Sequence, residues 1–332
     1  MALTVYFDKD ADSALLRGRR VAVLGYGAQG RAHALNLRDS GVDVIVGLRP
    51  GSSSQHLCAR DGVNAAAIDS AVAGADVVML LVPDEQQPDV HDRILRPKMR
   101  TGATLAFAHG FNMQYGRIDP REDVDVVMVA PLGIGDQVRR TYESGAGVPA
   151  LIAVHSDSSG QALQLAIAYA VANGHGRAGI FATSFRDETE TDLFAEQAVL
   201  CGGVTHLVTA AFETLVDAGY PEELAYFSCL HELKLMTDMM YERGIAGMRR
   251  SISSTAEYGD YTRGPRVINE QSREAMRSML EEIRSGAFAE ELSAEMRAGG
   301  ATLAAGRARA KSHAIESVGA RMRALLPWLE SR

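Results

Sequence analysis

Cysteine is scarce: Cys58, Cys201 and Cys229 are the only three in 332 residues. They are too few and too scattered for a disulfide framework or a structural zinc site, and a reducing compartment suits them best. Positive charge is also short, with 34 Lys and Arg against 42 Asp and Glu and a net charge of −8. That balance argues against nucleic acid as a partner. No apolar run approaches the roughly 18 residues of a membrane span, so no membrane partner is expected. The opening Met1-Ala2-Leu3-Thr4-Val5-Tyr6-Phe7-Asp8 has no basic stretch ahead of an apolar one, which predicts no signal peptide and a cytoplasmic location. Proline-rich or serine-rich linkers and internal repeats are missing too. What is present is ordinary globular composition, 46% hydrophobic and 23% charged, in a length that suits two domains.

The first half alternates β-branched runs with helical stretches. Arg20–Gly25, Val42–Leu48, Asp76–Val82, Thr104–Ala108 and Val124–Ala130 read as strands, with a helix over Gln29–Ser40; Val148–His155 and Gly179–Ala182 extend the series. Near-continuous apolar strands separated by helices predict a parallel sheet covered on both faces, a doubly wound α/β domain over residues 1–183. Residues 184–332 change character. Helical periodicity dominates over Glu188–Gly219, Pro221–Arg243, Asn269–Gly286, Ala287–Ala298 and Ala301–Trp328, with a break at Gly299-Gly300.

Gly25-Tyr26-Gly27-Ala28-Gln29-Gly30 is a G-x-G-x-x-G that follows the first of those strands and opens a helix. In that context the glycines allow a tight turn and close backbone approach to a pyrophosphate, which the helix N-terminus favours. An NAD site carries an Asp or Glu at the end of the next strand. This chain instead has Leu48-Arg49-Pro50-Gly51-Ser52-Ser53-Ser54, where a guanidinium and hydroxyls can hold a 2′-phosphate, so NADPH is the expected cofactor. Further on, Asp192 and Glu196 stand four apart in a helical stretch, and Ser228 and Glu232 repeat the spacing. Each pair shares one helix face. The apolar context predicts that the first acidic face is buried, where like charges need a cation or proton between them. By spacing alone a solvated acidic face stays open.

Several stretches together resemble the short-form (class I) ketol-acid reductoisomerases. They are Gly25–Gly30, Gly47–Ser52, Pro83-Asp84-Glu85, Ala106-Phe107-Ala108-His109-Gly110-Phe111-Asn112, Val138-Arg139-Arg140-Thr141-Tyr142, Glu188–Gly203, His231-Glu232-Leu233-Lys234 and Thr255-Ala256-Glu257-Tyr258-Gly259-Asp260-Tyr261, and the likeness runs from Tyr6 to Trp328. The resemblance implies a Rossmann NADPH-binding domain and an all-helical, knotted domain. It also implies a homodimer with shared active sites, or a higher assembly built from it, acting on a small molecule. NADPH contacts are implied for Gly25, Tyr26, Gly27, Ala28, Gln29, Gly30, Arg49, Ser52, Ser54, Asp84, Glu85, Gln86, Gln87, Gly135 and His109, the last beside the nicotinamide. Without the resemblance His109 would read as a core histidine. Asp192, Glu196 and Glu232 match metal ligands, and Ser253 matches a substrate-contacting serine.

Two departures fall within the implied chemistry. Leu132 stands where the family has a lysine, and Ser228 where it has a metal-binding glutamate; Ala195 replaces a glycine between retained ligands. The family reaction migrates an alkyl group with the help of two magnesium ions and then reduces the new keto acid with NADPH. The departures fall on the first half, so the magnesium site is weakened or absent. The leading expectation is reduction of an imine or 2-keto group without migration. A working reductoisomerase, converting 2-acetolactate for branched-chain amino acid synthesis, and an inactive paralogue serving as a binding subunit are the alternatives.

Overall fold

In the computed structural model, which describes residues 3–329, the chain divides into two compact units, Met1–Thr191 and Asp192–Arg332. The first contains a nine-stranded sheet in the order β1-β9-β8-β7-β6-β5-β2-β3-β4. The strands are β1 (Val5–Tyr6), β2 (Arg20–Leu24), β3 (Asp43–Leu48), β4 (Asn64–Ala67), β5 (Val77–Leu80), β6 (Thr104–Phe107), β7 (Asp125–Pro131), β8 (Ala150–Ser156) and β9 (Ile180–Ala182). From β4 through β7 every pairing is parallel. β8 then runs antiparallel to β7, and β1 antiparallel to β9, so the all-parallel expectation holds for six strands and ends at β7. Their side chains explain the burial: Val21-Ala22-Val23-Leu24 and Val77-Val78-Met79-Leu80 are wholly buried. Such runs suit a sheet covered on both faces.

α1 (Ala28–Asp39) leaves the end of β2 and packs with the Ala162–Ala172 helix on one face of the sheet. Between them lies a buried polar group. His33 Nδ1 meets Tyr169 Oη at 2.9 Å, and His175 Nδ1 donates to the Val148 carbonyl at 2.7 Å. Among the described residues neither Nε2 has a hydrogen-bond partner.

The second unit is helical as expected, with its main helices at Gly202–Asp217, Glu232–Arg249, Ser254–Val267, Glu270–Ser285, Ala287–Arg297, Ala301–Ser312 and Ala314–Arg323. Gly299 and Gly300 both have positive φ and form the expected break. His313, in extended conformation, splits the single helix expected over Ala301–Trp328. The Glu188–Gly219 helix is likewise interrupted by a π turn at Glu196–Leu200, and a second π turn spans Phe227–His231. The buried core here is small, built on Val208, Phe212, Tyr226, Ile315, Val318 and Met322, while Leu207, Leu235, Tyr241, Ile245 and Tyr258 are exposed. The continuous stretch Phe185–Asp217 is, by length and composition alone, apolar enough to cross a membrane, with 11% of its apolar window buried. The expectation of no uninterrupted apolar run stands, since Glu196, Gln197, Thr205 and His206 break the stretch and only its mean hydropathy reaches that of a span.

The buried histidines make a stability prediction. Burial pushes His33 down to about 3, helped by the neighbouring His175, and pushes His175 down to about 4, against an ordinary value of 6.5. The unfolded chain therefore takes up protons first as pH falls. Their contribution is fully present above pH 6.5 and is lost toward the folded values, by up to about 1.4 kcal/mol per pH unit for each histidine. Urea midpoints should drop between about pH 6.5 and pH 4.5. Replacing both histidines by Gln should make that drop shallower, and an unchanged slope would remove them as its cause.

Candidate active site

Because β3, β2, β5, β6 and β7 are parallel, the loops that follow them lie on one edge of the sheet. These loops carry residues 25–30, 49–54, 81–87, 108–112 and 132–135, the regions holding the first unit's expected site residues. The chain winds outward from β2 to β3 and β4, then returns to β5 on the other side of β2. Open α/β sheets bind ligands at the carboxyl ends of their strands beside such a reversal.

The three glycines of the turn after β2 divide the work. Gly25 has φ +99°, and a Cβ there would lie 2.7 Å from the Leu81 carbonyl oxygen. Gly30 backs onto Gly25, whose oxygen would lie 2.2 Å from an added Cβ. Gly27, with φ −76°, has nothing within 4 Å of a Cβ position. The first and third glycines close the turn against β5 and α1; the second keeps space open at the helix N-terminus. That open cradle fits a dinucleotide pyrophosphate. Gln29 donates from Nε2 to the Gly133 carbonyl at 2.8 Å, and Gly135 lies too close to the Ala28 backbone to admit a Cβ. The loop after β7 is thereby fixed to the start of α1, with Leu132 and Ile134 exposed on it.

After β3, exposed Arg49 and half-buried Ser52 and Ser54 lead into α2 (Ser54–Arg60), and no acid ends the strand. After β5, Asp84 is half-buried and Glu85 and Gln86 are exposed. Gln87 is turned inward: its Nε2 donates to the Val82 carbonyl and to Asp84 Oδ1, and its Oε1 accepts from Asn112 Nδ2 at 2.9 Å. It braces two loops of the edge against each other.

His109 follows β6, stacked beside Phe111 with ring centroids 6.2 Å apart. Its Nδ1 is 3.0 Å from Glu188 Oε1, while Glu188 Oε2 accepts the Gly110 N–H at 2.8 Å. Glu188 is 3% exposed. Gly110 has to be glycine because a Cβ would lie 2.4 Å from Thr189 Oγ1 and 2.7 Å from the Phe185 carbonyl oxygen. A carboxylate at Nδ1 makes that nitrogen the proton carrier of a neutral ring and Nε2 the basic one. Sequence reasoning did not single out Glu188. The available signal was its place four residues before Asp192 and eight before Glu196, extending one acidic stripe.

Asp192 lies one turn beyond Glu188 on the Phe185–Ala195 helix, and Glu196 begins the following π turn. π turns inside helices recur at functional sites. Ser228 sits in the second π turn and Glu232 opens the next helix. Asp192 is half-buried, but Glu196 is exposed, so the buried acidic face expected from the sequence is not formed within one chain. Among the described residues Asp192, Glu196 and Glu232 are not gathered into one ligand cluster. Ser253 caps the Ser254–Val267 helix, its Oγ accepting the Ala256 N–H at 3.2 Å.

The glycine geometry separates two substitutions. Gly27→Ala should leave folding within about 0.5 kcal/mol, since the new methyl meets nothing. It should still weaken dinucleotide binding at least about tenfold by occupying the cradle. Gly30→Ala must displace the Gly25 carbonyl and should cost about 1–3 kcal/mol of folding stability. Thermal unfolding and cofactor titration of the two variants check this; equal stability losses would contradict the division of roles.

A family model described as the acetohydroxy acid isomeroreductase NADPH-binding domain matches residues 15–179, and one described as the ketol-acid reductoisomerase C-terminal domain matches residues 185–328. The chain is 42% identical to an NADH-preferring ketol-acid reductoisomerase from an uncultured archean, over 98% of this chain and 99% of that one, with a TM-score of 0.95. More distant likenesses show the fold alone. A semialdehyde dehydrogenase NAD-binding protein from Cupriavidus necator is 18% identical, over 80% of this chain and 99% of that one, with a TM-score of 0.62. A pyrroline-5-carboxylate reductase from Coxiella burnetii is 16% identical, over 80% and 98%, with a TM-score of 0.56. With the glycine turn, the loops on one sheet edge and both domains accounted for, the chain belongs to the ketol-acid reductoisomerase family and is a nicotinamide-dependent oxidoreductase.

Proposed function

We propose that this family member reduces an imine or a 2-keto group with NADPH and does not carry out the alkyl migration. The observation that carries the reading is Leu132, 52% exposed on the loop after β7, where the family has a lysine. An apolar wall replaces a cation and hydrogen-bond donor next to the cofactor turn. A substrate that is itself a cation, such as an iminium, is better accommodated beside Leu132 than beside a lysine.

The cofactor site fits a dinucleotide. Gly25–Gly30 would receive the pyrophosphate, and Arg49, Ser52 and Ser54 the 2′-phosphate, which favours NADPH in this chain; the NADH preference of the archean protein is that protein's own. Bound NADPH supplies the hydride. His109, held through Nδ1 by Glu188, presents Nε2 as the nitrogen that accepts or returns a proton. The Gly110 N–H bond to the same carboxylate keeps the ring from turning.

The metal ligands fit less well. One of the family's four carboxylates is Ser228 here, which offers only a neutral oxygen. Magnesium demands near-ideal octahedral oxygen coordination with carboxylate charge, so this donor set does not suit a pair of ions, and no step is assigned to them. The exposed apolar residues of the small-cored helical unit support a homodimer with Glu232 and Ser253 completing the partner's site. A fully active monomer in sedimentation would contradict that arrangement.

A working reductoisomerase is the second reading, favoured by the 42% identity over nearly the whole chain. Acetolactate separates the two. The unmodified protein should not convert it even with excess magnesium, yet should oxidise NADPH with a suitable imine or keto acid, little affected by chelator. Ser228→Glu with Leu132→Lys should gain magnesium-dependent acetolactate turnover, and either change alone much less, because such groups act together. Brisk acetolactate turnover by the unmodified protein would install the second reading.

A further inference from the structure

α2 is a seven-residue helix, too short to persist without tertiary anchors. Most of it is exposed; only Cys58 is fully buried. Its far end is fixed by Asp61. The backbone there closes in a Schellman turn, with Val63 N–H donating to the Cys58 carbonyl at 2.9 Å, Gly62 N–H to the Ala59 carbonyl at 3.2 Å, and Gly62 at φ +67°. Arg38 donates to the Asp61 carbonyl oxygen. The Asp61 side chain turns toward the cofactor turn. Its Oδ2 accepts from Tyr26 Oη at 3.1 Å and from Arg31 Nε at 2.5 Å, and its Oδ1 from Arg31 Nη2 at 3.1 Å.

One carboxylate therefore joins three pieces of the dinucleotide site: the turn after β2 through Tyr26, the first turn of α1 through Arg31, and the end of α2. Tyr26 is 5% exposed, so its hydroxyl depends on this acceptor. The 49–54 loop is held at one end by β3 and at the other by α2. We propose that Asp61 is a positioning residue for recognition of the adenosine 2′-phosphate: it fixes α2, and through it Ser52 and Ser54, against the turn that receives the pyrophosphate. This rests on the NADPH reading above. Without the tie, the loop would have to be ordered by the ligand, and that cost falls on ligands that engage it. NADH does not carry the group the loop is built to hold.

Cofactor titrations of the full-length protein test the proposal with four probes: NADPH, NADH, adenosine 2′,5′-bisphosphate and AMP. Asp61→Asn should weaken NADPH and the bisphosphate about tenfold, or about 1.4 kcal/mol, while NADH and AMP change less than about threefold. Tyr26→Phe removes one hydroxyl and keeps the buried ring, so it tests the same tie with a smaller change to the packing. It should weaken NADPH and the bisphosphate more than NADH and AMP, by less than Asp61→Asn does, and adding it to Asp61→Asn should cost little more, because both act on one interaction. Asp61→Glu should recover part of the loss. Equal weakening of all four probes, or no change in either variant, overturns the role of Asp61 while the wild-type preference for NADPH stands. A wild type that binds NADPH no better than NADH, and the bisphosphate no better than AMP, overturns the NADPH reading and this proposal with it.

Discussion

Much of the site depends on one buried carboxylate. Glu188 holds the His109 ring through Nδ1 and the Gly110 backbone through its N–H, and it has almost no exposure of its own. A carboxylate in such a place is tolerable only when its oxygens are satisfied, and these two contacts do so while joining β6 to the start of the Phe185–Ala195 helix. The same helix carries Asp192 one turn on. Glu188 thus sets both the tautomer of the histidine and the point from which the acidic stripe begins. The absence of a side chain at Gly110 is the steric condition for the contact.

Around that fixed point the two halves of the family's chemistry are unequally supported. The dinucleotide half has every feature a nucleotide-binding edge requires: a strand reversal beside β2, an open cradle at Gly27, and loops tied to one another by Gln29, Gln87 and Asp61. At the two positions on which the proposed reading rests, this chain carries neutral side chains, Leu132 and Ser228. On the proposed reading, losing both charges weakens the stabilisation of a doubly charged oxygen pair, on which the rearrangement rather than the reduction depends.

The fold was legible wherever one residue's chemistry dominated its surroundings. The strands β2, β3, β5, β6 and β7 are apolar runs ended by turn residues, and the glycine pattern after β2 reads directly as the cofactor turn. β1 has two residues, and β4 is Asn64-Ala65-Ala66-Ala67, whose small side chains have weak strand preference; it forms because β3 offers an edge to pair with. β8 looks like any buried strand, and only tertiary structure shows that it runs against β7. The π turns are not visible as a sequence pattern, because each is a single five-residue turn, too short a window for its altered period to show. The sequence offered Asp192, Glu196 and Glu232 as candidate ligands through their resemblance and spacing, but it did not offer Glu188 or Asp61. Their importance comes from Gly110, Tyr26 and Arg31, all distant in sequence from the acid they meet.

The proposal that this chain reduces without rearranging is tested most directly by offering the protein NADPH with 2-acetolactate, with the already rearranged 3-hydroxy-3-methyl-2-keto acid, or with an imine, and following NADPH oxidation. Turnover of the rearranged acid or of an imine, with acetolactate inert at every magnesium concentration, is the expected result. Magnesium-dependent turnover of acetolactate as fast as that of the rearranged acid would contradict it.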